Sequence, residues 1–96
     1  MKNKIYLANA FSIQMLPEDG ASVDFEVVET LPNGLVSAIG HADTARVLDV
    51  ECSRISIKLE HGDTLYVAQL MGGRLPEGTT KLPEGFWFKF FKVTVR

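Results

Sequence analysis

The chain has one cysteine, Cys52, one tryptophan, Trp87, and two histidines, His41 and His61. A lone thiol cannot close an internal disulfide, and so thiol-poor a chain fits a reducing cytoplasm. No stretch approaches the roughly 18 uninterrupted apolar residues of a membrane span. The opening Met1-Lys2-Asn3-Lys4-Ile5-Tyr6-Leu7-Ala8 also lacks the apolar run of a secretory signal, so no membrane association is expected. Basic charge is scarce. Ten Lys and Arg stand against twelve Asp and Glu, a net charge of −2. Sequence-independent binding to duplex nucleic acid relies on many basic contacts and is not expected. A small anionic ligand held by a few residues is still allowed. There is no glycine-rich nucleotide loop of the P-loop or dinucleotide type. His41, His61 and Cys52 do not have the spacing of zinc ligands, so neither metal nor cofactor is expected.

What is present reads as one small globular domain, residues 1–96, with 46% hydrophobic residues and no low-complexity segment. A core of this size leaves a thin stability margin that dimerisation would widen. Lys4 to Ala10 is apolar enough for a strand inside a sheet. Phe11 to Leu16 is open between a loop and one helical turn, and Pro17-Glu18-Asp19-Gly20 punctuates it. Ser22 to Val27 alternates, with Val23, Phe25 and Val27 on one face and Asp24 and Glu26 on a wet one. Leu35 to Ile39 is a short strand or extended piece after the turn at Leu31-Pro32-Asn33-Gly34. Ala42 to Val50 has the apolar spacing of a short helix with Ala45 and Leu48 inward. Ser53 to Leu59 alternates again, and Glu60-His61-Gly62-Asp63 predicts a hairpin whose return strand is Thr64 to Met71. Gly72 to Gly85 is a long loop. Phe86 to Val95 carries aromatics on both faces, the mark of a central or interface strand. These elements predict an α+β fold: a mixed sheet of about five strands with short helices packed on it.

Three polar segments interrupt this apolar pattern: Asn9-Ala10-Phe11-Ser12, Gly40-His41-Ala42-Asp43, and Gly73-Arg74-Leu75-Pro76-Glu77-Gly78. They supply a side chain that titrates near neutrality, a planar cation that grips paired phosphate oxygens, a carboxylate and small hydrogen-bonding groups. Together these suit a phosphodiester. Each also has a plainer role open to it. His41 can cap a helix, Arg74 can pair with Glu77 on the surface, Ser12 can serve a turn, and Asn9 can satisfy backbone at a strand end. Arg54 reads as a wet-face residue within reach of a ligand. Leu75-Pro76-Glu77-Gly78 recurs as Leu82-Pro83-Glu84-Gly85, either two turns of related shape or a rigid mount for Arg74 and Glu77. A Ser12, His41, Asp43 triad has little support, because His41 and Asp43 are too close in sequence to converge.

Read in order, Tyr6-Leu7-Ala8-Asn9-Ala10-Phe11-Ser12, Ser37-Ala38-Ile39-Gly40-His41 with Thr44-Ala45, Gly62-Asp63 and Gly73-Arg74-Leu75-Pro76-Glu77-Gly78 resemble a known family. It comprises small proteins of archaeal viruses, prophages and bacteria and includes the type III anti-CRISPR ring nucleases. The resemblance spans most of the chain. It implies a mixed sheet with helices, a homodimer, and metal-independent cleavage of cyclic tetra-adenylate, the messenger of type III CRISPR defence. It also implies His41 as the catalytic histidine, Arg74 and Glu77 as the late-loop pair, and Asn9 and Ser12 near the ligand. Between Leu16 and Ser37 the chain is shorter than many relatives, which bears on how the ligand is covered.

An RNA-type linkage brings its own nucleophile, the 2′-hydroxyl. In the expected mechanism His41 protonates the departing 5′-oxygen, Arg74 offsets charge on the phosphate, and Glu77 supports the charged imidazole or the guanidinium. Gly40 and Ala42 would leave room for the ligand backbone. Two other classes compete. One is a non-catalytic protein that sequesters a cyclic oligonucleotide or nucleic acid. The other is a phage protein acting through a protein partner.

Overall fold

Leu7 and Ala8 are buried because β1 (Ile5–Ala8) has a hydrogen-bonded neighbour on each side. The computed structural model describes residues 4–96, so the expectation drawn on Met1, Lys2 and Asn3 lies outside the described residues. Among the described residues the remaining strands are β2 (Val23–Val28), β3 (Val36–Ser37), β4 (Thr64–Met71) and β5 (Trp87–Val95), and the one α-helix is α1 (Ala42–Leu48). The five strands form a single mixed sheet in the order β2-β5-β4-β1-β3. β1 runs parallel to both β3 and β4, and β5 runs antiparallel to β4 and β2. The expected α+β class and strand number hold, and the aromatic-rich last strand is interior, as its two apolar faces require.

Strand geometry sends alternate residues to opposite faces. One face gathers Ala8, Leu65, Val67, Val93 and Val95. Its cover is the segment around a single 3-10 turn, Ile13–Met15, together with Ile57 and Leu59. The other face presents Leu7 and Ala68 to Ile39 and to Ala45 of α1, with Leu48, Phe88 and Phe90 packed around them. Burial of these apolar groups is the main favourable term in the fold.

Two expectations are corrected. Ser53 to Leu59 is not a strand and makes no hairpin with Thr64 to Met71. Both edges of β4 are already taken, by β1 and by β5. The alternation is real, for Ile57 and Leu59 are buried while Ser56 and Lys58 are exposed, but the cover is a sheet face instead of a neighbouring ladder. The turn at residues 60–63 survives, fixed by the buried Asp63, whose carboxylate accepts the amides of Lys4 at 3.0 Å and Glu60 at 2.9 Å. Second, the apolar side of β2 is mostly wet. Val23 packs on the core, but Phe25 is 56% and Val27 63% exposed. β2 is an edge strand, and Phe11 of the covering segment meets Phe25 edge-on, 5.4 Å between ring centres.

Candidate functional site

Strand lengths create the site. β1 ends at Ala8, opposite Val67, while β4 runs on to Met71 and β5 runs beside it from Trp87. Ala68, Leu70 and Phe88 therefore extend past the end of β1 as a ledge. β3 leads through Ile39 to α1, which begins beside that ledge, and the loop after β4 returns over it. A crevice of about 960 Å³ results, lined by Asn9, His41, Thr44, Arg54, Arg74 and Glu77 above the apolar floor. Open sheets with parallel strands place ligands in this position, outside the carboxyl ends of the strands.

Each polar group arrives for a local reason. Asn9 is the first residue after β1 and borders both the crevice and the two neighbouring depressions. His41 is the N-cap of α1. Its backbone is extended, and its Nδ1 accepts the Thr44 amide at 3.3 Å, with the Thr44 hydroxyl also 3.3 Å away. An Nδ1 that accepts an amide carries no proton, so the capping ring holds its proton on Nε2. The ring is exposed, not sealed in the core. The capping role open to it in the sequence is thus real, and it leaves Nε2 for a ligand. Arg74 and Glu77 flank Leu75, which is buried and anchors their loop. Among the described residues Arg74 and Glu77 form no ion pair with each other or with another side chain.

Four of the six site residues expected from the sequence, His41, Arg74, Glu77 and Asn9, meet at this crevice. Ser12 does not. Its hydroxyl caps the 3-10 turn by accepting the Gln14 amide at 3.3 Å, and it borders the depression next door. Gly40 is not a lining residue either, and its missing side chain makes room for Arg54 instead of a ligand. A Cβ there would lie 3.0 Å from the Arg54 Cγ, and Arg54 Nε donates to the Gly40 carbonyl at 3.0 Å. The tie that Asp43 and Arg46 make was missed. They connect α1 to the late loop, as Asp43 accepts the Gly78 amide at 3.3 Å and Arg46 donates to the Thr79 carbonyl at 3.1 Å. Their i,i+3 spacing was visible in sequence, but their loop partners lie more than thirty residues away. Among the described residues no group of three or more His, Cys, Asp or Glu side chains is set to hold a metal ion. No helix among them is long and apolar enough to cross a membrane.

A small α+β protein with a five-stranded mixed sheet and a histidine-capped helix beside a polar crevice is the class these features define. The chain belongs to the STIV B116-like family, whose model matches residues 5–85. Among solved structures it is similar to B116 of Sulfolobus turreted icosahedral virus, with a TM-score of 0.76 and 23% identity over 95% of this chain and 98% of that one. That likeness extends the fold comparison to nearly the full length of both proteins. No curated protein matches the chain.

Proposed function

We propose that the protein is a metal-independent ring nuclease that cleaves cyclic tetra-adenylate to linear products ending in 2′,3′-cyclic phosphate. It would act in the cytoplasm of a host cell and counter type III CRISPR signalling. The observation that carries this reading is the meeting of His41, Arg74 and Glu77, from two distant segments, around one open crevice. The resemblance of their motifs to the ring nucleases supplies the substrate.

In the proposed reaction Arg74 binds the scissile phosphate. The adjacent 2′-hydroxyl loses its proton to solvent as its oxygen attacks phosphorus, the P–O5′ bond breaks, and the 5′-oxygen leaves with a proton from the imidazolium of His41. A positioned general acid of this kind contributes about 10²–10⁴-fold. When the ring is doubly protonated Nδ1 becomes a donor. It then releases the Thr44 amide, and the Thr44 hydroxyl, 3.3 Å away, is at hand to accept from it. Glu77, from the late loop, lines the same crevice as His41. Arg54 adds a second guanidinium to the same wall as His41.

The partner in this reading is a second copy of the chain. The exposed Phe25 and Val27 on the β2 edge support it, since apolar side chains grouped in this way mark contact surfaces. A four-nucleotide ring can share the two-fold axis of a dimer, each subunit offering one His41 to opposite linkages.

A second reading is favoured by the capping bond itself. A histidine occupied with the Thr44 amide suits a protein that binds and sequesters a cyclic oligonucleotide without cutting it. Incubation with cyclic tri-, tetra- and hexa-adenylates in the presence of chelator separates the two. Linear fragments with cyclic phosphate ends, lost in His41→Ala, support the nuclease. Tight binding with intact ring supports sequestration, and neither binding nor cleavage overturns both. Sedimentation of a monomer with and without ligand would overturn the two-fold arrangement.

A further inference from the structure

The loop that carries Arg74 and Glu77 is tied to the helix that His41 caps. Asp43, in the first turn of α1, keeps only 13% of its side chain exposed, and each oxygen has its own partner. Oδ1 accepts Arg46 Nη1 at 2.9 Å and Oδ2 accepts the Gly78 amide at 3.3 Å. The same Arg46 nitrogen donates to the Thr79 carbonyl at 3.1 Å. Two side chains one helical turn apart therefore hold backbone groups of two consecutive loop residues, one donor and one acceptor. The held turn is itself closed, because Thr79 bonds back to the Pro76 carbonyl through its amide at 3.2 Å and through its hydroxyl. Glu77 lies between this tie and the buried Leu75, and Arg74 precedes Leu75.

We infer that Asp43 and Arg46 are positioning residues, a latch that sets where Arg74 and Glu77 stand relative to His41. The inference rests on the ring-nuclease reading and says how its site is assembled. Asp43 borders the crevice, but both its carboxylate oxygens are engaged in the tie, so the inference gives the pair no chemical role. An exposed ion pair contributes little to stability, and here half of Arg46 is exposed. Its effect lies in geometry, where displacement of a reacting group by about 1 Å can cost about 10²-fold in rate. Glu77 is held between two fixed points, so release of one frees it to swing, while ligand contacts from Asn9 and Arg54 stay in place.

The test uses the full chain with Asp43→Ala, Arg46→Ala and Arg46→Lys, cyclic tetra-adenylate as substrate, and amide exchange by NMR. Asp43→Ala and Arg46→Ala should lower kcat by about 10–100-fold and move KM by no more than about threefold. Melting should fall by no more than about 8 °C. Arg46→Lys should restore most of kcat, since one ammonium can still bridge the carboxylate and the Thr79 carbonyl. The Gly78 amide should exchange faster in Asp43→Ala. Unchanged kcat in both alanine variants overturns the inference, as does a change confined to KM. Unchanged exchange at Gly78 shows that no latch exists and overturns it as well. Wild-type protein that leaves the ring intact overturns the nuclease reading and the catalytic role of the latch together. Faster Gly78 exchange in the variant then distinguishes a sound latch serving another function from an absent one.

Discussion

His41 holds two positions at once, and two substitutions separate them. Its Nδ1 caps α1, and its ring lines the crevice, where the proposed acid role would fall to Nε2. His41→Ala removes both. His41→Asn removes only the acid, because a short amide oxygen is among the best helix caps. The cap is a long bond, 3.3 Å, on an exposed residue. Its loss in His41→Ala should therefore fall at the low end of the usual range, about 0.5–1 kcal/mol. For a domain of this size that lowers the melting temperature by about 2–8 °C. His41→Asn should melt within about 2 °C of the parent or above it. Cleavage of cyclic tetra-adenylate should nonetheless fall by about 10²–10⁴-fold in both variants. Thermal melts followed by circular dichroism and single-turnover assays give the two readouts. Cleavage retained in His41→Asn would refute the acid role and leave His41 as a cap alone.

Other outcomes follow from the same physics. Asp63→Ala leaves the Lys4 and Glu60 amides without their acceptor, at about 1–3 kcal/mol for each group kept from water. That is a large part of the roughly 5–14 kcal/mol expected for 96 residues, so a melting shift under about 4 °C would contradict the account. Gly72 has φ +105°, and a Cβ there would lie 2.5 Å from the Gly85 carbonyl, whereas Gly34, at φ +80°, faces open space. Gly72→Ala should therefore destabilise more than Gly34→Ala in denaturant titrations, and equal effects would show that the loop neck is not tight. The Arg96 carbonyl and then the Asp19 carboxylate hold His61 above its ordinary 6.5. A raised folded value stabilises fully below the unfolded one and is lost as pH rises through the folded one. Wild-type melting should therefore fall more steeply than that of His61→Gln as pH increases from about 6.5, and matching slopes would dismiss the contribution.

Much of the architecture is local and was legible. The cap open to His41 depends on neighbours in sequence, and so does the inward stripe of Ala45 and Leu48, whereas the first strand, expected to reach Ala10, ends at Ala8. The aromatic faces of the last strand announced an interior position because both had to be covered. Pairing was less legible. Ser53 to Leu59 carries the alternation of a half-buried strand, and alternation reports one wet and one dry side without saying what the dry side meets. β2 shows the reverse case. Phe25 and Val27 repeat with the right period, but Phe25 meets Phe11 only edge-on and both side chains stay more than half exposed. At the site, residue type was enough to nominate His41, Arg74, Glu77 and Asn9. It was not enough for Asp43 and Arg46, whose meaning lies in backbone groups far along the chain, nor for Ser12, whose hydroxyl is used by its own turn.

The neck at Gly72 and Gly85 has an evolutionary consequence. The β4–β5 register is complete at Met71 and Trp87, just outside the pinch, so the sheet does not depend on how many residues lie between. Lengthening such an excursion is cheap, since doubling it adds only about 0.6 kcal/mol of closure entropy. Descendants could thus trade one late segment for another and retune what the protein recognises while the scaffold beneath stays untouched.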